Sequence, residues 1–179
     1  MPILARGHAA TIAAVAGRET QATRAARAAG IPFRLHEYEH DPRHEAYGLE
    51  AAERLGQDPA RVFKTLVAKA DGGLVVCCVP VVAQLDLKAV AAARGARRAI
   101  LADVREAERT TGYVAGGISP LGQRRQLRTV VDESVLAFET VYVSAGRRGL
   151  EIELAPGDLL AVTGGVAAPI ARTGLRQAP

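Results

Sequence analysis

The alternation of apolar and polar residues predicts a set of short strands, and the clearest two form a hairpin. FKTLVAKADGGLVVCCVP contains two apolar runs, at about 63–70 and 74–80, on either side of Asp71-Gly72-Gly73. Asp-Gly between two apolar runs is a strong hairpin signal, because both residues tolerate the positive φ angles of a tight turn. We therefore expect an antiparallel pair of strands here.

Weaker patterns predict the remaining elements. Capping and breaking residues indicate helices at 20–30, 49–55, 86–94, 104–110 and after Pro156. Alternating apolar residues indicate further strands in IPFRLHEYEHDP and at about 97–102, 128–131, 140–145 and 149–155. Several strands follow one another through hairpins, which argues against a regular parallel βαβ array. The predicted class is α+β, with a mixed, curved, barrel-like β-sheet surrounded by short helices.

The composition is that of one globular domain. The chain has 179 residues, 49% of them apolar, which is enough for one sizeable core. We expect a disordered N-terminal extension at 1–19, the folded domain at 20–172 and a flexible tail at 173–179. No apolar run approaches the roughly 20 residues of a membrane span, so no membrane association is expected. The net charge of +4 favours a polyanion such as nucleic acid as partner.

The two cysteines, Cys77 and Cys78, are adjacent in the sequence. In a strand they point to opposite faces, so they form neither a usual disulfide nor a pair of metal ligands. We expect them to be small buried hydrophobes in the reducing environment of the cytoplasm.

The segment TGYVAGGISPLGQRRQLRT, residues 111–129, has no helical or strand pattern. Gly116 and Gly117 permit positive φ and close approach, and Pro120 stiffens the turn. The spacing fits neither a nucleophile elbow nor a P-loop. We expect a rigid turn whose N–H groups hold a carbonyl oxygen or a phosphate, or else a purely structural turn. Arg124 and Arg125 follow at once and could bind phosphates together with Arg147 and Arg148.

Other candidate groups each have an ordinary structural explanation. His36, His40 and His44 stand four apart, as helical metal ligands do, but Pro42 argues against a helix there. Strand-end histidines are the simpler interpretation, and no metal site is predicted. Lys64 begins an apolar strand and is either a snorkelling edge residue or the cation of a site.

Glu151 and Glu153 alternate with apolar residues on one strand, so they share a face that is usually solvated. Across the chain, the spacing reveals no Ser-His-Asp set, cysteine nucleophile or metal cluster. An enzyme of this kind would act by positioning and backbone electrostatics, and could take its reactive group from the substrate.

Five blocks of the sequence, spread over about residues 23–172, resemble one known family. They are YEHDP (38–42), VFKTL (62–66), AQLDLKAVAAARGARR (83–98), TGYVAGGISPLGQRR (111–125) and SAGRRGLEIEL (144–154). These blocks are similar to those of the YbaK-type aminoacyl-tRNA deacylases, which are relatives of the editing domain of bacterial prolyl-tRNA synthetases. The resemblance implies a similar α+β fold and trans-editing hydrolysis of mischarged Cys-tRNA(Pro).

The resemblance also implies a set of site residues. The family's site lysine matches Lys64, where it would bind the terminal phosphate or the 3′-end hydroxyls. The implied catalytic set is Lys64, Gly116, Gly117, Ser119 and Glu151, with Ser119 positioning the substrate and not attacking it. The predicted substrate-binding set joins Tyr38, Tyr47, Thr65, Ile118 and Pro120 of these blocks to the arginines proposed above as phosphate ligands, Arg124, Arg125, Arg147 and Arg148. Tyr47 replaces the family's phenylalanine and keeps a ring for the terminal adenine, whereas Glu151 replaces an aspartate.

The resemblance further implies chemistry without a metal or cofactor, in which the substrate thiol attacks its own ester carbonyl and leaves as a thiolactone. The implied partners are the 3′ end and acceptor stem of an aminoacyl-tRNA, and prolyl-tRNA synthetase, with no DNA. Two alternatives stay open at this point. One is a deacylase for another small misacylated amino acid, such as Ala-tRNA(Pro), and the other is a non-catalytic module that binds tRNA or a synthetase.

Overall fold

The computed structural model describes residues 19–173, so the predicted N-terminal extension and C-terminal tail lie almost entirely outside the described residues. The helices are α1 (Gln21–Ala28), α2 (Tyr47–Leu55), α3 (Leu87–Ala93), α4 (Val104–Thr111) and α5 (Pro156–Thr163). The strands are β1 (Arg34–Glu37), β2 (Phe63–Ala70), β3 (Gly73–Pro80), β4 (Gln84–Leu85), β5 (Ala99–Leu101), β6 (Arg128–Asp132), β7 (Val141–Arg147), β8 (Leu150–Leu154), β9 (Val166–Ala168) and β10 (Ala171–Arg172). Short 3₁₀ helices span Pro59–Arg61 and Glu133–Ala137.

The strands form two principal sheets and one small pair. The larger sheet has the order β5-β2-β3-β6-β9, with β3, β6 and β9 parallel and the β5-β2-β3 portion antiparallel. The smaller sheet is antiparallel with the order β1-β8-β7, and β10 pairs with β4. This mixture of sheets and helices confirms the predicted α+β class. The sheet is not closed into a barrel, and one isolated bridge, between Val62 and Tyr142, links the two principal sheets.

Local chemistry explains several element boundaries. Asp71 and Gly72 take φ angles of +45° and +89°, which turn the chain between β2 and β3 as the sequence predicts. Thr20 and Thr23 form a reciprocal capping box at the start of α1. The carboxylates of Asp86 and Asp103 accept backbone N–H bonds at the starts of α3 and α4. These caps satisfy donors that a helix start leaves unpaired.

The core is built mainly from aliphatic residues, as the scarcity of aromatics requires. Its principal cluster includes Phe63, Leu150 and Ile152 and receives apolar side chains from both principal sheets. Cys78 belongs to this cluster, whereas Cys77 belongs to a second cluster that includes Val90 of α3. Both thiols are free and buried, and burial raises the pKa of each to about 12. The prediction that they act as small buried hydrophobes is confirmed, and neither is suited to be a nucleophile.

None of the helices described between residues 19 and 173 has the length and apolar character that a membrane span requires.

Candidate active site

The junction of the two sheets brings together three polar residues from distant parts of the chain. β2 and β7 meet in parallel at the Val62–Tyr142 bridge. Lys64 and Ser144 each lie two residues beyond that bridge, so both point to the same side as the bridging residues. Glu151 is the cross-strand partner of Ser144 in β8. All three line one cleft.

This cleft, the junction cleft, has a volume of about 350 Å³. Its lining comes from residues 45–49 and 62–66 together with Val81, Gly116, Ile118, Ser144 and Glu151. Neither cysteine nor histidine is among these lining residues. The cleft is therefore large enough for a small organic group, and its lining offers no Cys–His or Ser–His dyad.

Lys64 contributes the cation of the junction cleft. Its side chain is half-buried, and no carboxylate among residues 19–173 lies within 4 Å of its ammonium group. Burial lowers the pKa of Lys64 below its ordinary value. A partly desolvated ammonium group without a partner can bind an anionic or hydroxyl-bearing ligand strongly.

Glu151 contributes a carboxyl group that is only 7% exposed. Burial raises its pKa to about 8, so the group is mostly protonated at neutral pH. The expectation of a solvated glutamate face on β8 is thus wrong. Glu153, on the same face, is also sheltered, since its carboxylate accepts hydrogen bonds from Thr140 at 2.7 Å and Arg61 at 3.1 Å and pairs with His36 at 2.7 Å.

The glycine turn supplies backbone to the junction cleft through Gly116 and Ile118. Gly116 has φ +84°, and a Cβ there would lie 2.8–2.9 Å from side-chain atoms of Arg148 and Tyr47. Gly117 donates its N–H to the carbonyl oxygen of Val114 at 2.9 Å, which closes the turn internally. In the described part of the chain, the N–H groups of Gly116 and Ile118 have no such partner. These two are the donors that the turn can offer a ligand.

Gly117 has a different task, which is to let two backbones meet. A Cβ at this position would lie 2.9 Å from the Cα of Arg147. Backbone atoms cannot yield as a flexible side chain can, so only glycine fits without displacing the β7–β8 turn.

Ser119 and Pro120 lie behind the junction cleft and do not line it. Ser119 is fully buried, and its hydroxyl oxygen accepts the N–H of Leu121 at 3.2 Å. Its carbonyl oxygen accepts a hydrogen bond from the Gln123 side chain at 2.9 Å. Pro120 lines a smaller, separate cleft. Both residues thus shape the turn from behind, and in this arrangement Ser119 is not a nucleophile.

Arg148 connects the glycine turn to α2. Its guanidinium group lies 4.6 Å from the centre of the Tyr47 ring and donates two hydrogen bonds, of 3.1 and 2.6 Å, to the carbonyl oxygen of Ala115. The His40 ring packs against Tyr47 from 5.5 Å away. Tyr47, which lines the junction cleft, is therefore held on two sides.

The other predicted arginines lie apart from the junction cleft. Arg147 pairs with Glu37 at 2.7 Å. Arg124 donates a long hydrogen bond, of 3.5 Å, to the carbonyl oxygen of Arg109, and Arg125 lines a second cleft beside the β2–β3 turn. Of the four arginines that the sequence grouped as phosphate ligands, only Arg148 touches residues that line the junction cleft.

The two remaining predicted site residues differ in position. Thr65 lines the junction cleft, and its hydroxyl oxygen lies 3.9 Å from the sulfur of Cys78. Tyr38 is instead packed against the cluster that contains Val62 and Val81, behind the cleft wall. Burial raises the pKa of Tyr38 to about 12, and the carboxyl of Glu151 adds to this effect. Its hydroxyl is neutral at physiological pH.

Two features of the site have no signal in the sequence pattern. Ser144 lines the cleft because its strand meets β2, a non-local event. Gly48 packs its backbone so closely on Val81 that a Cβ would overlap the Val81 side chain. Gly48 and Val81 both line the junction cleft.

Glu50 fixes the segment that precedes α2. Its buried carboxylate accepts the Asp41 N–H at 2.8 Å and pairs with His40 at 2.7 Å. Burial raises the pKa of Glu50, but the hydrogen bonds from Asp41 and His40 outweigh burial, and the resulting pKa is lowered. An amphipathic-helix pattern alone does not reveal a buried glutamate of this kind.

The histidines do not gather into one site. His36 pairs with Glu153 and His40 pairs with Glu50, on separate segments. Within residues 19–173 no group of three or more His, Cys, Asp or Glu side chains is arranged to hold a metal ion. The arrangement of the junction cleft is that of a binding site with the Lys64 ammonium, the protonated carboxyl of Glu151, an exposed glutamate (Glu45) and backbone donors.

Comparisons with known proteins agree with this fold. The family described as "Aminoacyl-tRNA editing domain" matches residues 43–162. The chain is 36% identical over 154 residues to "Putative Cys-tRNA(Pro)/Cys-tRNA(Cys) deacylase EbsC" of Enterococcus faecalis, an alignment that covers 86% of this chain and 93% of that protein.

Two solved structures are also similar. Hypothetical protein APE2540 superposes with a TM-score of 0.77 at 27% identity, covering 86% of this chain and all of that one. A structure described as "a putative trans-editing enzyme for prolyl tRNA synthetase" superposes with a TM-score of 0.76 at 25% identity, covering 86% and 98%. The family resemblance seen in the sequence blocks is confirmed. By the extent of the family match and the identity over most of its length, the chain belongs to the aminoacyl-tRNA editing domain family.

Proposed function

We propose that this protein is a trans-editing deacylase that releases cysteine from mischarged Cys-tRNA(Pro). One observation carries the proposal: the junction cleft combines the protonated carboxyl of Glu151 with the ammonium of Lys64, which no carboxylate of the described residues pairs with, and its lining contains no cysteine or histidine. Such a cleft is suited to hold an ester, and its lining has no histidine base or cysteine nucleophile to attack that ester.

The cleft suggests how each part of the substrate is held. Lys64 binds the terminal phosphate or a ribose hydroxyl of the 3′ end by charge-assisted hydrogen bonds. The N–H groups of Gly116 and Ile118 bind the ester carbonyl oxygen, where negative charge develops as the ester reacts. Tyr47 presents its ring to the terminal adenine, and its contact with Arg148 keeps the ring in one orientation.

The reacting group in this proposal is the thiol of the cysteinyl substrate. The thiol gives up its proton, its sulfur forms a bond to the ester carbonyl carbon, and the bond from that carbon to the ribose oxygen breaks. The ribose oxygen receives the proton, so the products are uncharged tRNA and a cyclic thiolactone that water later opens. Glu151, being protonated at neutral pH, donates a hydrogen bond to the departing oxygen. Holding the thiol near the carbonyl carbon supplies the remaining advantage.

The biological reason for such a site is the small difference in size between cysteine and proline. Binding alone separates amino acids of nearly equal size by only about 1–3 kcal/mol, so a second site that removes errors is needed. We propose that the protein acts in the cytoplasm on tRNA that prolyl-tRNA synthetase has mischarged, through a transient encounter with that enzyme.

The decisive experiment compares aminoacyl-tRNAs that differ in one part. The protein is incubated with labelled Cys-tRNA(Pro), Ala-tRNA(Pro) and Cys-tRNA(Cys), and release of amino acid is followed over time. We expect release from Cys-tRNA(Pro), and none when the substrate thiol has been methylated. Release of alanine instead would assign the site to another misacylated amino acid. Failure to release any of them, with tRNA still bound, would identify a binding module.

A further inference from the structure

A second cleft, the turn cleft, lies at the opposite end of the β2–β3 hairpin from Lys64. It has a volume of about 800 Å³ and is lined by residues 70–75, 94–96 and 125–128 together with Glu106 and Thr110. The arginines in its lining come from three separate places: Arg94 caps the end of α3, Arg125 lies in the loop before β6, and Arg128 begins β6. The fold therefore gathers these cations from distant segments.

The acidic residues of the turn cleft are already engaged. Both carboxylate oxygens of Glu106 lie 2.9 Å from the ammonium of Lys69. Asp71 accepts the backbone N–H groups of Arg97 at 2.9 Å and Arg98 at 3.1 Å. Because the Lys69 ammonium offsets the charge of Glu106, three arginines of the lining face the single remaining carboxylate of Asp71.

The three arginines, in contrast, have no such compensation. Within the part of the chain that the structure describes, no carboxylate lies within 4 Å of the guanidinium groups of Arg94, Arg125 or Arg128. Arg125 and Arg128 are exposed, and Arg94 is partly exposed. Uncompensated guanidinium groups around one open cleft create a positive potential that attracts phosphate groups.

We infer that the turn cleft binds the phosphate backbone of the acceptor stem while the 3′ end occupies the junction cleft, an inference that rests on the proposed function. The contacts of these arginines support a site for a polyanion: three guanidinium groups from three elements line one cleft, and none of them is paired with a carboxylate of the described residues. Guanidinium groups suit phosphate oxygens because they donate several hydrogen bonds in one plane.

The spacing of the two clefts fits one tRNA molecule. Lys64 lines the junction cleft and Ala70 lines the turn cleft, and both belong to β2. Six residues of extended strand span roughly 20 Å. The segment that supplies Gly116 and Ile118 to the first cleft continues directly to Arg125 and Arg128 in the second. A tRNA whose short single-stranded 3′ end enters the junction cleft would bring its duplex stem to this distance.

The test uses a variant in which Arg94, Arg125 and Arg128 are all replaced by alanine. Binding of an uncharged tRNA(Pro) transcript is measured over a series of salt concentrations. We expect the affinity at low salt to fall by roughly tenfold or more and the slope of log K against log salt to shrink by about one per arginine. The matched control replaces Arg24, Arg34 and Arg54, three exposed arginines that do not line the turn cleft, and removes the same total charge.

Two results would overturn the inference. One is an unchanged affinity and salt slope in a variant whose thermal unfolding matches the wild type. The other is an equal loss in the control, which would indicate a diffuse effect of net charge. Because the transcript carries no amino acid, this assay tests the turn cleft even if the protein cleaves no aminoacyl ester.

A kinetic measurement adds a second readout. On Cys-tRNA(Pro), the triple variant is expected to raise KM and leave kcat unchanged, because the arginines hold parts of the substrate far from the reacting ester. A fall in kcat with KM unchanged would contradict a role limited to stem binding.

Discussion

Glu151 and Glu153 lie two residues apart on one strand and on the same face of it, but their surroundings shift their pKa values in opposite directions. Glu153 accepts hydrogen bonds from Thr140 and Arg61 and pairs with His36. Burial raises its pKa, but the hydrogen bonds from Thr140 and His36 outweigh burial, and the pKa of Glu153 is lowered. Glu151 receives no comparable support, and burial alone raises its pKa to about 8.

The two lysines of β2 repeat this contrast. Lys69 pairs with Glu106, whereas Lys64 has no carboxylate within reach in the described residues. Glu151 and Lys64, the two groups without partners, line the same cleft. A charged residue on a strand therefore does not by itself indicate a binding site. A charge held by partners supports the fold, whereas a sheltered group without them is available to a ligand.

Removing Lys64 should show most clearly the difference between a charge that binds a ligand and a charge that supports the fold. Lys64→Ala is expected to lower deacylation of Cys-tRNA(Pro) by about 100-fold or more, since a buried charge-assisted contact contributes roughly 3 kcal/mol. Thermal unfolding should change little, because no protein carboxylate loses its partner. Release of labelled cysteine measures the first effect. Lys88→Ala, at an exposed position of α3, is the control, and equal activity in the two variants would contradict the assignment.

Glu153→Gln should produce the opposite result. The substitution keeps the shape but removes the negative charge that Arg61 and His36 share, so we expect the free energy of unfolding to fall by about 1–3 kcal/mol. Deacylation at a temperature well below unfolding should stay near the wild-type rate. Urea denaturation followed by circular dichroism measures the loss. An unchanged midpoint would show that the network adds nothing to stability.

Glu151→Gln sharpens the comparison through pH. The folded-state pKa of Glu151, about 8, lies above the unfolded value, so the folded protein binds the extra proton between roughly pH 4.5 and 8. Wild-type stability therefore falls as pH rises through this window, by up to about 1.4 kcal/mol per pH unit from this group. Glutamine cannot ionise, so the variant should gain stability relative to wild type from pH 6 to 8. Denaturation at several pH values tests this, and a constant difference would argue against a protonated Glu151.

Glu153 has the reverse dependence. Because its folded-state pKa is lowered, the stability that it contributes is present above its unfolded pKa and is lost as the pH falls through the folded value. The same series of measurements, continued below pH 5, should therefore show Glu153→Gln converging on the wild type.

Arg148→Ala should have the smallest effect of the four. It removes the cation over the Tyr47 ring and two hydrogen bonds to Ala115, which together orient the glycine turn. We expect kcat/KM for Cys-tRNA(Pro) to fall about five- to tenfold, in line with about 1 kcal/mol for an exposed cation–π contact. Arg148→Lys keeps the charge and should recover part of the loss. If alanine and lysine behave alike, the planar guanidinium group is what the turn requires.

Local signals account for what could be predicted of the fold. The β2–β3 hairpin was predicted to within a residue at each end because Asp71-Gly72 and the apolar runs act over short distances. The two- and three-residue strands β4, β9 and β10 are too short to leave a periodic pattern in the sequence. β9 is defined by its pairing with β6, and β10 by its pairing with β4. The failure of barrel closure is likewise non-local, since it depends on how two sheets meet at Val62 and Tyr142.

The same distinction applies to the site. Lys64, Gly116 and Glu151 could be proposed from the sequence blocks, and the structure brings all three to one cleft. Ser144 could not, because its place follows from the pairing of β7 with both β8 and β2. The sequence groups Arg124 and Arg125 with the glycine turn that they follow, and adds Arg147 and Arg148, which precede the strand that carries Glu151. Their surroundings depend on the direction of each side chain: Arg125 lines the turn cleft, whereas Arg148 lies over the Tyr47 ring.

The contact between Gly48 and Val81 has a consequence for the evolution of the cleft. Because a Cβ at position 48 would overlap the Val81 side chain, the two positions share one fixed volume. A lineage that acquires alanine at 48 must therefore accept a smaller residue at 81, or else widen the cleft. In an alignment of relatives the two sites should covary by size, and that exchange offers a simple route by which the pocket could come to admit a different aminoacyl group.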